Sequence, residues 1–581
     1  MPQITYIDTE APRRERPSQS TLSSRKSERW KSIARWVLRR RVAILSVMAL
    51  YRFIGLGTGE MQQWGESIYA LRMRVILEFG TIWDQSASML GGADYASHPP
   101  LYTWLSTSFL LLFGDQLWVY RFTAAAAAAL MVPLLYRLSR MLQSPLKSVV
   151  VTGLFAFAPL PVLLSRHSQP ELLLTLCMTA AFYFSLRAMR SGKAVDLLLA
   201  GGTLGAAFMS QMLFPLSIPA ALLLSALFVD GLKRTRALRT ALLMTLISLP
   251  VWLPWAWTFA ASHGEGAGFI FQAVPPFQTA FASVKEGVQD STLRYYLNQL
   301  IINLSLLLPF AFFAMWRSLK SPQHSGWTAA TLMLLAMLAI LWAQPSAFEL
   351  YIVPIMPLLF LHGVRGIALL RKSSRTQLLA FSLTAALCFA WSLTPSWRTA
   401  FPDVIRGIGD GSMPWNAALS GVFLLLVTAA ALLIIWLLYR RNRLRSLLSL
   451  PVTGTMLITL TLAAFVRIWV IAPPAEPTGA AEAARALRSS NAAQVFLIGG
   501  SENPQLTFYL GGADLGWRED EQRRYDRLEL HALGVEGIRV HLASRRNTGP
   551  IAVLIERDEL TQNEDAAERA ILPEGYEARM Q

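Results

Sequence analysis

Long apolar runs recur along most of this 581-residue chain, and they constrain its fold more than any other feature. The runs are roughly 17 to 21 residues long, which is the length that an α-helix needs to cross about 30 Å of hydrocarbon. Examples are Met212–Val229, Ala241–Ala261, Trp327–Ala343 and Gly421–Tyr439. Charged residues make up only 15% of the chain, against about 25% in soluble domains. The sequence therefore predicts an all-α polytopic membrane protein.

Basic clusters between the apolar runs predict the orientation of the chain in the membrane. The net charge is +16, and arginine and lysine in short loops are typical of the cytoplasmic side. The segment before Val42 ends in Arg39-Arg40-Arg41, so the first span is expected to run outward from a cytoplasmic N-terminus. The later clusters give about thirteen spans with the C-terminal segment outside. Membrane lipids, rather than nucleic acid, are the expected partners of this charge.

The distribution of polar segments divides the chain into three parts. Residues 1–41 are predicted to be a disordered, basic cytoplasmic tail, and residues 42–472 a transmembrane domain. Within that domain, residues 57–116 form the first extracytoplasmic loop. The run Pro100–Gly114 in this loop is too short for a crossing, so it is expected to lie along the outer interface. Residues 473–581 are predicted to form a small extracytoplasmic α/β domain.

Local patterns support an α/β composition for this C-terminal part. Ala480–Ser489 has helical character, whereas Gln494–Ile498 and Ile551–Ile555 are typical of short buried strands. The two cysteines, Cys177 and Cys388, each lie within an apolar run. Their spacing indicates neither a metal site nor a disulfide framework.

Three carboxylates fall near outer ends of helices, and they are the first candidates for chemistry. Glu66 begins an amphipathic helix over Gly65–Glu78, Glu171 follows a proline at the start of a span, and Glu349 precedes another. Each of them could instead serve its own helix, because the positive end of the helix dipole favours a carboxylate. Their common side of the membrane favours a shared site.

A histidine and an arginine in the outer loops add candidate cationic groups. His98 precedes two prolines and could donate to a phosphate or assist proton transfer, although a plain loop histidine explains it equally well. Arg166 lies in the loop before Glu171.

Several segments together resemble the polytopic glycosyltransferases of the GT-C superfamily, in particular those related to protein O-mannosyltransferases and the lipid A aminoarabinose transferase. The similarity covers about residues 64–190 and continues in a later tyrosine–proline motif. The matching segments are Gly65-Glu66-Ser67-Ile68-Tyr69, His98-Pro99-Pro100-Leu101-Tyr102-Thr103-Trp104-Leu105, Phe113-Gly114, Arg121, Arg166, Glu171-Leu172-Leu173-Leu174 and Tyr351 with Pro354 and Pro357.

The resemblance implies that a hexosyl or pentosyl group moves from a polyprenyl-phosphate donor, such as an undecaprenyl phosphate sugar, to a lipid, glycan or protein acceptor. The reaction would take place on the outer face of a prokaryotic inner membrane. It implies Glu66 as the base for the acceptor and Glu171 as its support or a cation ligand. The substrate-binding residues would be Tyr69, His98, Tyr102, Arg166, Glu349 and Tyr351. Some members use a divalent cation, but no ligand spacing here defines a metal site.

One departure from the family pattern leaves the activity open. The aspartate of the first-loop motif, usually counted as the catalytic acid, is Gly65 here. Either Glu66 has taken over its role, or the chain is a catalytically silent relative that binds lipid-linked sugar. A secondary transporter or flippase is the alternative from another class. The carboxylates are predicted to lie on one side of the membrane and not at its midplane, which argues against a transporter.

Overall fold

The computed structural model describes the first half of the chain almost continuously and the second half in segments. The described residues are 32, 34–61, 65–83, 85, 99–211, 214–228, 231–262, 296, 299–300, 304, 307–320, 325–342, 349–370, 374, 376–379, 381–384, 440, 480–489, 494–498, 504–509, 522–525, 528–532 and 551–555. The predicted span Gly421–Tyr439 therefore lies outside the described residues.

The regular secondary structure in the described residues of the predicted transmembrane part is helical. In chain order, the helices are α1 (Arg41–Leu50), α2 (Gly65–Phe79), α3 (Leu101–Phe113), α4 (Leu117–Leu142), α5 (Pro145–Phe157), α6 (Pro159–Leu164), α7 (Glu171–Ser191), α8 (Ala194–Phe208), α9 (Ser217–Ser225), α10 (Gly231–Ser262), α11 (Leu308–Lys320), α12 (Ser325–Trp342) and α13 (Met356–Leu370). A 3₁₀ turn over Glu349–Ile355 leads into α13.

Within the described residues, four helical segments are long and apolar enough to cross a membrane. They are Leu117–Leu142, Glu171–Ser191, Gly231–Ser262 and Leu350–Leu370. They confirm the polytopic helical class, while the number of about thirteen spans remains a prediction. The predicted run Ala241–Ala261 lies inside α10.

Two sequence predictions differ from the structure. Met212–Val229 was expected to be one span, but its described part is a short helix, α9, with 3₁₀ turns at Phe214–Leu216 and Ala226–Phe228. Pro215 and Pro219 fall within this segment, and proline interrupts regular helical hydrogen bonding. Residues 34–39 are helical, so the tail predicted to be disordered up to residue 41 ends earlier.

Close packing between α8 and α10 depends on two glycines one turn apart. A Cβ on Gly201 would lie 2.5 Å from Cβ of Ile247, and a Cβ on Gly205 would lie 2.6 Å from Cβ of Val251. Small residues spaced by four allow helices to approach closely. In lipid, helix association depends on such packing because the hydrophobic effect does not favour it. This contact fixes the position of α8 behind α7, which carries Glu171.

The first outer loop folds onto the helices rather than extending from them. The amphipathic helix predicted over Gly65–Glu78 is α2, and the short apolar run Pro100–Gly114 is α3. Leu71 of α2 and Tyr102 of α3 are fully buried, in an apolar core that continues to Phe360 of α13. The loop is therefore part of the structural core beside the site.

The described C-terminal segments contain helices and a sheet. The helices are α14 (Ala480–Ser489) and α15 (Pro504–Tyr509), and the strands are β1 (Gln494–Ile498), β2 (Gln522–Tyr525), β3 (Leu528–Ala532) and β4 (Ile551–Ile555). The sheet order is β2-β3-β1-β4, with β1 parallel to both neighbours and β2 antiparallel to β3. The predicted helix and both predicted strands have these bounds, while the extracytoplasmic domain of residues 473–581 stays a prediction.

Candidate functional site

A buried ion pair joins α2 to α4 at the centre of the candidate site. Arg121 donates from Nε to Oε1 of Glu66 at 2.6 Å and from Nη2 to Oε2 at 3.0 Å. Glu66 is 0% exposed and Arg121 3% exposed. Two parallel hydrogen bonds between a guanidinium and a carboxylate fix the relative orientation of the two groups. Arg121 also donates to the backbone carbonyls of Leu56, Thr58 and Glu60, so it organises the start of the first loop.

The loop between α6 and α7 is tied to the same carboxylate. The backbone N–H of Ser168 donates to Oε1 of Glu66 at 3.0 Å. The hydroxyl of Tyr102 lies 3.3 Å from Oγ of Ser168. These bonds hold residues 165–170 against α2 and α3, and they place Glu171 beside the first loop.

Glu171 is buried at the start of α7. It follows Pro170 at the helix N-cap and is 7% exposed. Its Oε2 atom is buried and has no hydrogen-bond partner among the described residues. A buried carboxylate oxygen without a partner is costly, so this atom has the capacity to bind a ligand group.

Tyrosines connect the two carboxylates. The rings of Tyr69 and Tyr102 meet edge to face, with their centroids 5.7 Å apart. Burial raises the pKa of Tyr69, and the charge of Glu171 raises this pKa further. Burial also raises the pKa of Tyr102, and the charges of both Glu66 and Glu171 add to this effect. Tyr102 therefore lies within electrostatic reach of both acids, and Tyr351 is a further electrostatic neighbour of Tyr69.

The loop cations lie on the other side of the Glu66 pair. Arg166 is half-buried, and its Nη1 would be 3.1 Å from a Cβ on Gly55. The charge of Arg121 acts on the adjacent His167, as does that of Glu66. Burial lowers the pKa of His167, which favours a neutral imidazole. The structure thus brings a histidine to the site that the sequence analysis did not select.

The structure brings most of the predicted site residues into one region. Glu66, Tyr69 and Tyr102 adjoin the loop that carries Arg166 and Glu171, and Tyr351 comes from the turn before α13. His98 lies outside the described residues. Glu349 begins the 3₁₀ turn that contains Tyr351, and only its backbone is described. In the residues that the structure describes, no group of three or more metal-ligating side chains occurs.

Besides His167, two participants were missed by reasoning from the sequence. Arg121 was noted only as a match at the start of a span, and an arginine at a helix start gives no local sign of its partner 55 residues away. Gln169 was read only as part of the loop sequence. It is 4% exposed and lies directly over Gly65.

The bonds of Glu66 also bear on the alternative that each acid only serves its own helix. Its carboxylate receives hydrogen bonds from Arg121 on α4 and from the backbone of Ser168. Glu66 therefore links separate elements. For Glu171 the helix role remains open, because it occupies the first position of α7.

Comparison with known proteins gives a family match for the part of the chain that contains α3 to α9 and most of α10. Residues 97–257 match the family model for dolichyl-phosphate-mannose-protein mannosyltransferase. This match confirms the resemblance predicted from the sequence motifs, and it supports a membrane glycosyltransferase over a transporter.

Particular proteins similar to this chain are a solved transferase structure and a curated relative. The fold is similar to that of ArnT from Cupriavidus metallidurans bound to undecaprenyl phosphate, with a TM-score of 0.57, 17% identity and coverage of 90% of this chain and 94% of that one. The apo form of ArnT gives a TM-score of 0.58 at 16% identity and the same coverage. YycA of Bacillus subtilis (strain 168), a candidate mannosyltransferase, is 27% identical over 158 residues, which are 27% of this chain and 23% of YycA.

Proposed function

We propose that this chain is an integral-membrane glycosyltransferase that moves a sugar from a polyprenyl-phosphate donor to a lipid, glycan or protein acceptor. The observation that carries the proposal is the convergence of Glu66, Tyr102 and Glu171 from three elements. The undecaprenyl phosphate bound by ArnT supports the lipid part of the donor. Such a donor suits a site at a membrane surface, because its tail stays in hydrocarbon while the sugar phosphate reaches polar groups.

Glu171 is the better base for the acceptor on geometric grounds. One of its carboxylate oxygens is buried and unpartnered among the described residues, whereas Arg121 engages both oxygens of Glu66. In the proposed step, Glu171 takes the proton of an acceptor hydroxyl while the acceptor oxygen bonds to the anomeric carbon. The bond from that carbon to the phosphate oxygen breaks, and polyprenyl phosphate leaves.

Glu66 then has a positioning role in place of the base role predicted from the sequence. Its ion pair with Arg121 and its bond to the backbone of Ser168 hold the loop that presents Glu171. Because Arg121 engages both oxygens of Glu66, this carboxylate is less accessible to an acceptor hydroxyl than Glu171.

Arg166 and His98 are proposed to contact the phosphate. Arg166 is half-buried in the loop next to the site, and a guanidinium can bind phosphate through two hydrogen bonds. We further propose that the transferred sugar is a hexosyl or pentosyl group and that the protein lies in a prokaryotic inner membrane. Its N-terminus would be cytoplasmic and its C-terminal part would lie on the outer side.

A divalent cation also remains part of the proposal. Glu171 offers a hard oxygen ligand, while Glu66 is occupied by Arg121. Transfer after EDTA treatment, with and without added Mg²⁺ or Mn²⁺, tests this point. Loss of transfer on chelation and recovery on addition would establish the requirement.

A reconstituted vesicle assay separates the functions. The full-length protein is placed in sealed liposomes with radiolabelled undecaprenyl-phosphate mannose, and a membrane glycolipid fraction is supplied as acceptor. We expect label to move onto a new acceptor. Label that crosses the bilayer with its phosphate bond intact would indicate a flippase, and binding without either event would indicate a silent relative.

A further inference from the structure

The carboxamide of Gln169 fills the space that a side chain at residue 65 would occupy. A Cβ built on Gly65 would lie 2.1 Å from Nε2 of Gln169 and 3.3 Å from its Cδ. The first distance is far inside van der Waals contact, which begins near 3.5 Å for carbon atoms. Since the motif that this chain resembles has aspartate at this position, the chain carries a glutamine from the second outer loop where the motif has an acid on α2.

Gln169 is buried with hydrogen-bonding capacity to spare. It is 4% exposed, and its Oε1 has no partner among the described residues. Its backbone is fixed, because its N–H donates to the carbonyl of His167 at 3.0 Å while the preceding N–H binds Glu66. A buried acceptor left without a partner costs about 1–3 kcal/mol. Most buried polar groups are paired. An unpaired oxygen on Gln169 and another on Glu171, two residues further along the chain, therefore point to a ligand.

Gln169 belongs to the same loop as the residues proposed to act on the donor and the acceptor. Arg166, the proposed phosphate contact, and Glu171, the proposed base for the acceptor, lie three residues before it and two residues after it. The sugar ring lies between the phosphate and the attacking hydroxyl in the proposed displacement, so a polar side chain of this loop is a candidate to contact the sugar.

We propose that Gln169 is a substrate-binding residue whose carboxamide accepts a hydrogen bond from a hydroxyl of the donor sugar, in the place left open by Gly65. This inference rests on the proposed function. A carboxamide cannot take a proton from the acceptor, so the exchange of aspartate for Gly65 and Gln169 leaves the base role to Glu171.

A binding measurement tests the contact separately from turnover. The full-length protein in nanodiscs is titrated with undecaprenyl-phosphate mannose and with sugar-free undecaprenyl phosphate. Gln169→Met keeps the length of the side chain but removes its acceptor. We expect this variant to bind the mannose-bearing lipid about tenfold more weakly, the size of one hydrogen bond, with unchanged affinity for the sugar-free lipid. Gln143→Met, at the opposite end of α4 from Arg121, is the matched control and should leave both affinities unchanged.

Exchange of the two positions provides a second test. Gly65→Asp alone should reduce transfer, because its side chain would displace the carboxamide of Gln169. Gln169→Gly opens that space. In the double variant the introduced carboxylate can accept the hydrogen bond from the sugar, so transfer should exceed that of Gln169→Gly alone. Equal affinities of wild type and Gln169→Met for the mannose-bearing lipid would overturn the inference, as would equal weakening for both lipids, which indicates a structural role.

The two proposals fail in different ways. If the wild type transfers sugar but Gln169→Met does not change sugar binding, the proposed sugar contact is rejected and the proposed transferase function stands. A sugar preference that depends on Gln169 in a protein without transfer would support the contact and reject the transferase.

Discussion

At the scale of single residues, the two acids of the site differ in what surrounds them. Glu66 is fully buried and satisfied by Arg121 and a backbone N–H. Glu171 is nearly as buried, but one oxygen lacks a partner among the described residues. The two acids are similarly buried but differ in hydrogen bonding. This difference is the reason for proposing a structural role for Glu66 and a substrate-binding role for Glu171.

Glu171→Gln should lower turnover by about 10²–10⁴-fold, the usual contribution of a general base. The folded protein should be at least as stable as the wild type, because the substitution removes a buried charge. Transfer kinetics and thermal unfolding in detergent measure the two effects. Glu482→Gln, on the exposed side of α14, is the control. Unchanged turnover in Glu171→Gln would rule out the base role.

Arg121→Met should destabilise the protein by about 3–5 kcal/mol, because it leaves the charge of Glu66 buried and unpaired. The double variant with Glu66→Gln should recover much of this loss, since no charge remains in the pocket. Denaturation in mixed micelles provides the measurement. Arg140→Met, an exposed arginine at the end of α4, should change stability by no more than about 0.5 kcal/mol. Equal stability of the single and double variants would contradict a buried charge pair.

At the scale of elements, short contacts decide the position of the loop of residues 165–170. This loop, between α6 and α7, is held by α2 and α3 through Ser168, and α7 begins directly after it. Behind α7, helix α8 approaches α10 through Gly201 and Gly205. The helices thus act as a rigid frame for a loop that carries the chemistry.

Gly205→Leu should force α8 away from α10 and destabilise the protein by about 1–3 kcal/mol or more, the usual cost of overpacking. The matched control is Gly202→Leu, on the same helix, because a Cβ there meets no atom within 4 Å. Thermal unfolding of both variants in detergent tests the contact. Similar losses in the two variants would indicate a general glycine effect instead of helix packing.

At the scale of the whole molecule, the C-terminal part contacts the first outer loop. Gln505 of α15 donates from Nε2 to the carbonyl of Met61 at 2.6 Å, and the N–H of Met61 donates to the hydroxyl of Tyr509 at 3.0 Å. Arg74 of α2 donates to the carbonyl of Phe508 at 2.6 Å and stacks over its ring at 4.1 Å. Since Arg121 binds the carbonyl of Glu60, this contact continues to the Glu66 pair.

Phe508→Ala should loosen the contact of α15 with the first loop, because it removes the ring beneath Arg74 and beside Tyr120. We expect faster hydrogen exchange in residues 56–61 and a several-fold fall in transfer. Arg485→Ala on the exposed face of α14 serves as the control. Unaltered exchange in residues 56–61 would show that this contact does not support the loop.

The site could be predicted in part, because some of its signals are local. Glu66, Tyr69 and Tyr102 stand in contiguous motifs, and Glu171 follows a proline at a helix start, so their residue types and spacing identify them. Arg121 could be named but not paired, because its partner is 55 residues distant. Gln169 could not be selected, because its importance depends on its position over Gly65, where it fills the space of a side chain.

The amino-acid sequence alone determined the helical membrane class, the helices α2 and α3, the strands β1 and β4 and the set of acids, since periodicity and hydropathy act over short stretches. Only the tertiary structure decided which acid is neutralised and which is left unsatisfied. It also decided that a glutamine stands in the gap left by a glycine. These outcomes depend on which distant side chains meet in a dry interior, where hydrogen bonding and charge pairing control the state of each group.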